Sequence, residues 1–230
     1  MDLVTIALLV SSVFIGAIFV EIFKPRKSNN IQYLLTFSGT YLLAITLIHL
    51  LPELFHYNTT NNIGLYILFG FIIQNLLEYF SKGIEHGHFH KKKTIPISVL
   101  ISLCIHALFE SLPLGGGLHQ HTHNSLLTGI LIHKIPVSIV LMTCFLQSKL
   151  KREKAYFLLF LFAIMPVIGI YANSVFEFLS VFHNQIIAIV IGMILHISTI
   201  ILFESTDGHK FSAQKLISIT IGVIAAIMSI

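Results

Sequence analysis

Charge is scarce in this chain of 230 residues: Asp, Glu, Lys and Arg make up 10% of it, against 55% hydrophobic residues and a mean hydropathy of +0.87. Soluble domains carry roughly a quarter charged residues, so a soluble globular fold is excluded and an integral membrane protein is expected. Tryptophan is absent while Ile, Lys and Asn are abundant, a composition that points to a low-GC microbial genome. Cysteine occurs only at Cys104 and Cys144, both inside apolar runs. Two such thiols read as small packing residues and not as a disulfide.

What the chain has is long apolar runs. A helix needs about 20 such residues to cross the bilayer core. Charged and turn-like breaks divide the sequence into eight expected spans, at Leu3–Phe23, Ile31–Pro52, Ile63–Gly83, Thr94–Gly115, Ser125–Gln147, Ala155–Phe176, Gln185–Phe203 and Phe211–Ile230. An all-α membrane protein follows. The first span lacks a basic leader and a small-residue cleavage site, so it is expected to be a permanent helix. The loops are too short for a soluble domain, which leaves one polytopic unit over 1–230 with a His-rich loop at about 84–93.

Basic residues set the expected orientation, because cytoplasmic loops accumulate them. They follow the first, third, fifth and seventh spans, from Lys24 and Arg26 to Lys210 and Lys215, and are missing from 53–62, 116–124 and 177–184. Both termini are therefore expected outside. This bias accounts for the pI near 9.1 and leaves no reason to invoke nucleic acid.

Against that background, ionisable groups inside the spans stand out: His49, Glu53, Glu78, His106, Glu110, His133, Lys134 and His196. A charge at mid-membrane costs about 2.5–3.5 kcal/mol or more, so each is by default a functional hypothesis. His106 and Glu110 are four apart and project from one helical face. His133 lies eight residues past the outer start of the fifth span and His106 nine before the outer end of the fourth. Both are then about 12–14 Å below the outer surface. Pro113 and Pro136, each three residues beyond one of these polar groups, would free the carbonyls of Phe109 and Ile132. Two imidazoles, a carboxylate and spare oxygens suit Zn²⁺ and would also take Fe²⁺, Mn²⁺ or Cd²⁺. Lys134 is expected to neutralise Glu110. His196 is as well explained by helix packing as by metal binding.

These residues resemble the ZIP (Zrt/Irt-like) family of divalent-metal transporters. The likeness rests on His106-x-x-x-Glu110 with Leu114 and Gly115, on His133-Lys134 with Pro136, on His49-Leu50-Leu51-Pro52-Glu53, and on the loop EHGHFHKKK. It implies a 3+2+3 arrangement of eight helices, N-out and C-out, in which two inverted triplets flank the fourth and fifth spans. The transport site would lie between those two, with His106, Glu110 and His133 as primary ligands. Val137 stands where many members have an acid, and Lys134 where many have a second-site ligand. The resemblance therefore implies one ion, with the Lys134 ammonium in place of a second.

Auxiliary positions remain open between two readings. His86, His88 and His90 could bind metal transiently on the cytoplasmic side or simply be polar. His119, His121 and His123, in an expected outer loop, could capture metal. His49 and Glu53 could form an entrance, with helix capping as the alternative. Other functions fit less well: an intramembrane metal-dependent hydrolase would want His-Glu-x-x-His, a cation-diffusion exporter six spans and a cytosolic domain, and a receptor no ligand cluster. An inside-negative potential drives divalent cations inward by about 4.6 kcal/mol per 100 mV. No Walker-type loop is seen, so uptake without ATP is expected. The metal is substrate, no catalytic cofactor is implied, the bilayer of a microbial cell membrane is the expected setting, and a homodimer stays open.

Overall fold

The computed structural model describes residues 3–23, 28–57, 62–81, 97–116, 118–148, 150–204 and 212–229, and the described residues are helical throughout apart from short turns. The helices are α1 (Leu3–Phe23), α2 (Ser28–Ile45), α3 (Leu51–Tyr57), α4 (Ile63–Ser81), α5 (Ile97–Ser111), α6 (Gln120–Gln147), α7 (Arg152–Val175), α8 (Glu177–Val181), α9 (His183–Glu204) and α10 (Ala213–Met228). A π-turn over Thr46–Leu50 joins α2 to α3, and a 3₁₀ turn over Leu112–Gly115 follows α5. Seven helices are long and apolar enough to cross a membrane: α1, the joined α2–α3 rod, α4, α5 with its 3₁₀ turn, α6, α7 and α9. The eighth expected span is α10, apolar but only 16 residues long.

Composition explains which helix sits where. α1, α4 and α10 carry apolar residues on all sides, and much of that surface faces outward: Leu65, Leu68, Phe69, Ile72 and Leu76 of α4 are exposed. Such a surface is stable only against lipid. α6 is the inner helix, buried continuously from Pro136 to Phe145. α1, α2 and α7 pack around it, α5 lies on α7 and α4, and α9 packs on α4 and α2.

Among the described residues the interior has two large apolar cores with a polar layer between them, and a small third cluster of Tyr41, Ala44, Ile45 and Ala226. On α2 one core reaches Leu35 and the other begins at Leu42; on α5 the limits are Ala107 and Leu114; on α6 they are Ile130 and Val137; on α9 they are Ile194 and Ile197. The intervals hold Ser38, Glu110, His133 with Lys134, and His196. Four of the ionisable groups read from the sequence, Glu110, His133, Lys134 and His196, thus share one stratum of the bundle, with His106 one turn from Glu110 at its edge.

Helix irregularities cluster on one side of that layer. Leu51 N–H bonds to Thr46 O, one residue further back than in an α-helix, and Pro52 follows with no N–H to offer. The π-turn absorbs the mismatch and the rod continues to Tyr57. Pro113 ends α5 instead of bending it, and Asn173 of α7 donates to Leu112 O at 3.0 Å, so the broken turn is held by a side chain. α6 runs through Pro136 without interruption. It also starts at Gln120, earlier than the expected span, so His121 and His123 lie on its first turn and not in a loop. The cause is external capping of that turn, described below.

Glycines permit the closest crossing. A Cβ built on Gly70 of α4 would lie 1.9 Å from Ile189 O, and one on Gly192 of α9 would lie 1.9 Å from Ile67 O, so the two backbones touch reciprocally. Close approach of this kind supplies van der Waals contact where lipid removes the hydrophobic driving force. Gly192→Ala is expected to push α9 off α4 and cost about 1–3 kcal/mol, read as a fall of about 3–10 °C in melting temperature of the detergent-solubilised protein. Gly64→Ala, where nothing lies within 4 Å, is the matched control and should melt like the parent.

Candidate functional site

The polar layer is built from α5 and α6 and finished by their neighbours. A helical spacing of four brings His106 and Glu110 to one face of α5, where His106 Nε2 lies 3.2 Å from Glu110 Oε2. From α6, Lys134 Nζ donates to the other carboxylate oxygen, Oε1. Both partners are 2% exposed or less, so this is a buried ion pair. The ammonium also sits 5.1 Å from the centre of the Phe162 ring of α7, an added cation–π contact.

Each histidine ring is oriented from outside α5 and α6. His106 Nδ1 lies 2.9 Å from Oε1 of Gln74, a fully buried amide on α4. His133 Nδ1 lies 3.3 Å from the Ser38 hydroxyl on α2. The two imidazoles face each other edge to face, with ring centroids 6.4 Å apart. The structure therefore brings four of the residues singled out in the sequence into one place, His106, Glu110, His133 and Lys134. Among the described residues, however, no three His, Cys, Asp or Glu side chains converge closely enough to hold an ion as they stand.

The auxiliary positions separate. His196 of α9 lies in the same layer but turns to α4, with Nδ1 3.6 Å from Glu78 Oε2 and its ring against Phe71 at 4.6 Å between centroids. Glu53 on α3 accepts from the His119 backbone N–H at 3.0 Å and from the Thr122 hydroxyl. It caps the N-terminus of α6 from a neighbouring helix, where a carboxylate also meets the positive end of the helix dipole. That contact is why α6 begins so early. Glu53 and His119 also line a cavity of about 220 Å³ with Leu50, Leu54 and Asn184, room for several waters at about 30 Å³ each. His49 is half-buried on the π-turn, His119 and His121 are exposed, and His123 is half-buried. His86, His88 and His90 lie outside the described residues.

Two members of the layer escaped the sequence reading. Gln74 is one of two adjacent amides, with Asn75, in an otherwise apolar helix, and it stands four residues before Glu78 on the same face; that spacing was the available signal. Ser38 carried no signal, because a serine hydroxyl in a transmembrane helix commonly bonds its own backbone.

A family model described as "ZIP Zinc transporter" matches residues 82–230, more than half of the chain. No curated protein matches it.

Removing one member of a buried ion pair costs about 3–5 kcal/mol, while removing both can be nearly neutral. Lys134→Met is therefore expected to lower the melting temperature by about 10 °C, and Lys134→Met with Glu110→Gln by much less. Thermal unfolding of the two variants in detergent checks this. Equal losses would show that the pair is not coupled.

Proposed function

Since the chain belongs to the ZIP zinc transporter family, and is thus a multi-pass membrane transporter of divalent metal, we propose that it carries Zn²⁺ into the cytoplasm past His106, Glu110 and His133, between α5 and α6. One observation carries the site: the 3.2 Å between His106 Nε2 and Glu110 Oε2. Zinc holds nitrogen at about 2.0–2.1 Å and oxygen at about 2.0–2.2 Å, so two ligands at a tetrahedral angle stand about 3.3 Å apart. That pair has the bite of a zinc site. His133, whose ring stands edge to face with that of His106 at 6.4 Å between centroids, is the third ligand, and water completes the shell.

Lys134 keeps the count at one ion. Its ammonium occupies the second carboxylate oxygen, which a binuclear centre would need, and Val137 offers no replacement acid. Fe²⁺, Mn²⁺ and Cd²⁺ fit the same donor set less selectively. The membrane potential supplies the drive inward. The eight-helix N-out and C-out arrangement, with triplets flanking α5 and α6, is the topology this reading requires, in the cell membrane of a microbe. Glu53 and His119, at the cavity they line, stand at its entrance. His86, His88 and His90 would meet the ion on the cytoplasmic side.

Uptake by proteoliposomes offered Zn²⁺, Cd²⁺, Fe²⁺ and Mn²⁺ side by side tests the reading. Zinc uptake is expected in the parent, and loss of at least 90% of it in His106→Ala and in Glu110→Ala at equal inserted protein. Near-normal zinc uptake in either variant would remove the site from this position.

A further inference from the structure

We propose that Gln74 and Ser38 are positioning residues that fix the tautomers of His106 and His133, so that both rings present Nε2 to the cation. The inference rests on the metal reading of the site and goes beyond it. Neither residue falls within the stretch that the family model matches.

Hydrogen-bond arithmetic carries the claim. An amide oxygen can only accept, so the 2.9 Å contact between His106 Nδ1 and Gln74 Oε1 is donated by the ring. Ser38 has one hydroxyl hydrogen and gives it to Leu35 O at 3.0 Å. Toward His133 Nδ1, at 3.3 Å, it can then only accept, and this ring donates as well. A neutral imidazole has a single N–H, so in both rings Nε2 keeps its lone pair.

The consequence at His106 is specific. In the neutral ring its Nε2 lone pair faces a carboxylate oxygen 3.2 Å away, a gap that a shared cation closes, a proton in the empty site or the metal in the loaded one. Metal-bound histidines elsewhere owe their tautomer and ring orientation to such outer partners, whose loss costs about 10–100-fold in affinity. Here the partners are on α2 and α4, helices that carry none of the proposed ligands. Gln74 is fully buried on a helix whose other faces are largely apolar and turned outward, a position where leucine or methionine would pack as readily. A polar amide there is explained by the bond it accepts.

The test uses the full-length protein in proteoliposomes and Zn²⁺ as probe. Gln74→Met, similar in volume but with no amide acceptor, is expected to raise KM for zinc at least tenfold while Vmax per inserted protein stays within about twofold. Gln74→Glu retains an acceptor at the same place and should keep KM near the parent value. Ser38→Ala should raise KM in the same direction. In ¹⁵N spectra of histidine-labelled, zinc-free protein, with His106→Asn identifying the resonances, His106 should be protonated at Nδ1 in the parent and lose that preference in Gln74→Met.

An unchanged KM in Gln74→Met, a loss confined to Vmax or folded yield, or equal KM values in Gln74→Met and Gln74→Glu would each overturn the proposal. Should Gln74→Met fail to insert, Ser38→Ala and the parent ¹⁵N spectrum decide it by the same criteria. His106→Ala separates the two levels of inference. If it keeps parental zinc affinity the site itself is wrong; if it loses affinity while Gln74→Met does not, only the positioning role falls.

Discussion

Lys134 and Glu110 impose on this bundle a requirement that lipid and apolar side chains cannot meet, two opposite charges with almost no exposure, joined across α5 and α6. Such a pair holds only where geometry is good and remaining lone pairs are occupied. The surrounding structure answers both demands. Phe162 lies beside the ammonium, His106 lies beside the free carboxylate oxygen, and apolar cores close the layer above and below. α6, which carries Lys134, is accordingly the helix most enclosed by others, and α1, α4 and α10, which contribute no charge to the pair, present much of their apolar surface outward.

The same layer extends sideways through hydrogen bonds that cross helix boundaries. Gln74 and Glu78, four apart on α4, reach His106 on α5 and His196 on α9 respectively. α4 thus holds two imidazoles on two partners from one face, while its glycine contact with α9 fixes the distance at which it does so. At one end of the bundle Glu53 ties α3 to the start of α6. Polar contacts of this kind give the packing its register, because apolar helices in lipid have little else that distinguishes one rotation from another.

Much of this was legible in the sequence. Apolar runs gave the helices to within a few residues, since membrane thickness dictates their length, and the four-residue step from His106 to Glu110 put both on one face. The convergence of His133 with them followed from counting residues inward from the matching ends of two antiparallel spans. What stayed hidden depended on contacts distant in the chain. The early start of α6 requires Glu53, 67 residues before Gln120, and no local pattern announces it. The π-turn before Pro52 and the 3₁₀ turn at Pro113 are rearrangements that a proline rule cannot distinguish from a kink. The role of Ser38 depends on which hydrogen its hydroxyl has already given away, a fact of three-dimensional geometry alone.

The imidazoles of His106 and His133 are carried by one pair of helices and steadied by another. With the cargo bound where we propose, their side-chain bonds form a thermodynamic linkage between cargo and architecture. Whatever affinity the rings gain from touching α2 and α4, an occupied site returns as extra cohesion among those four helices, by the same factor. Sliding α5 and α6 along their neighbours by a single turn would sever both bonds at once. Grip on the ion and the relative position of the helices are, in that sense, two readings of one free energy.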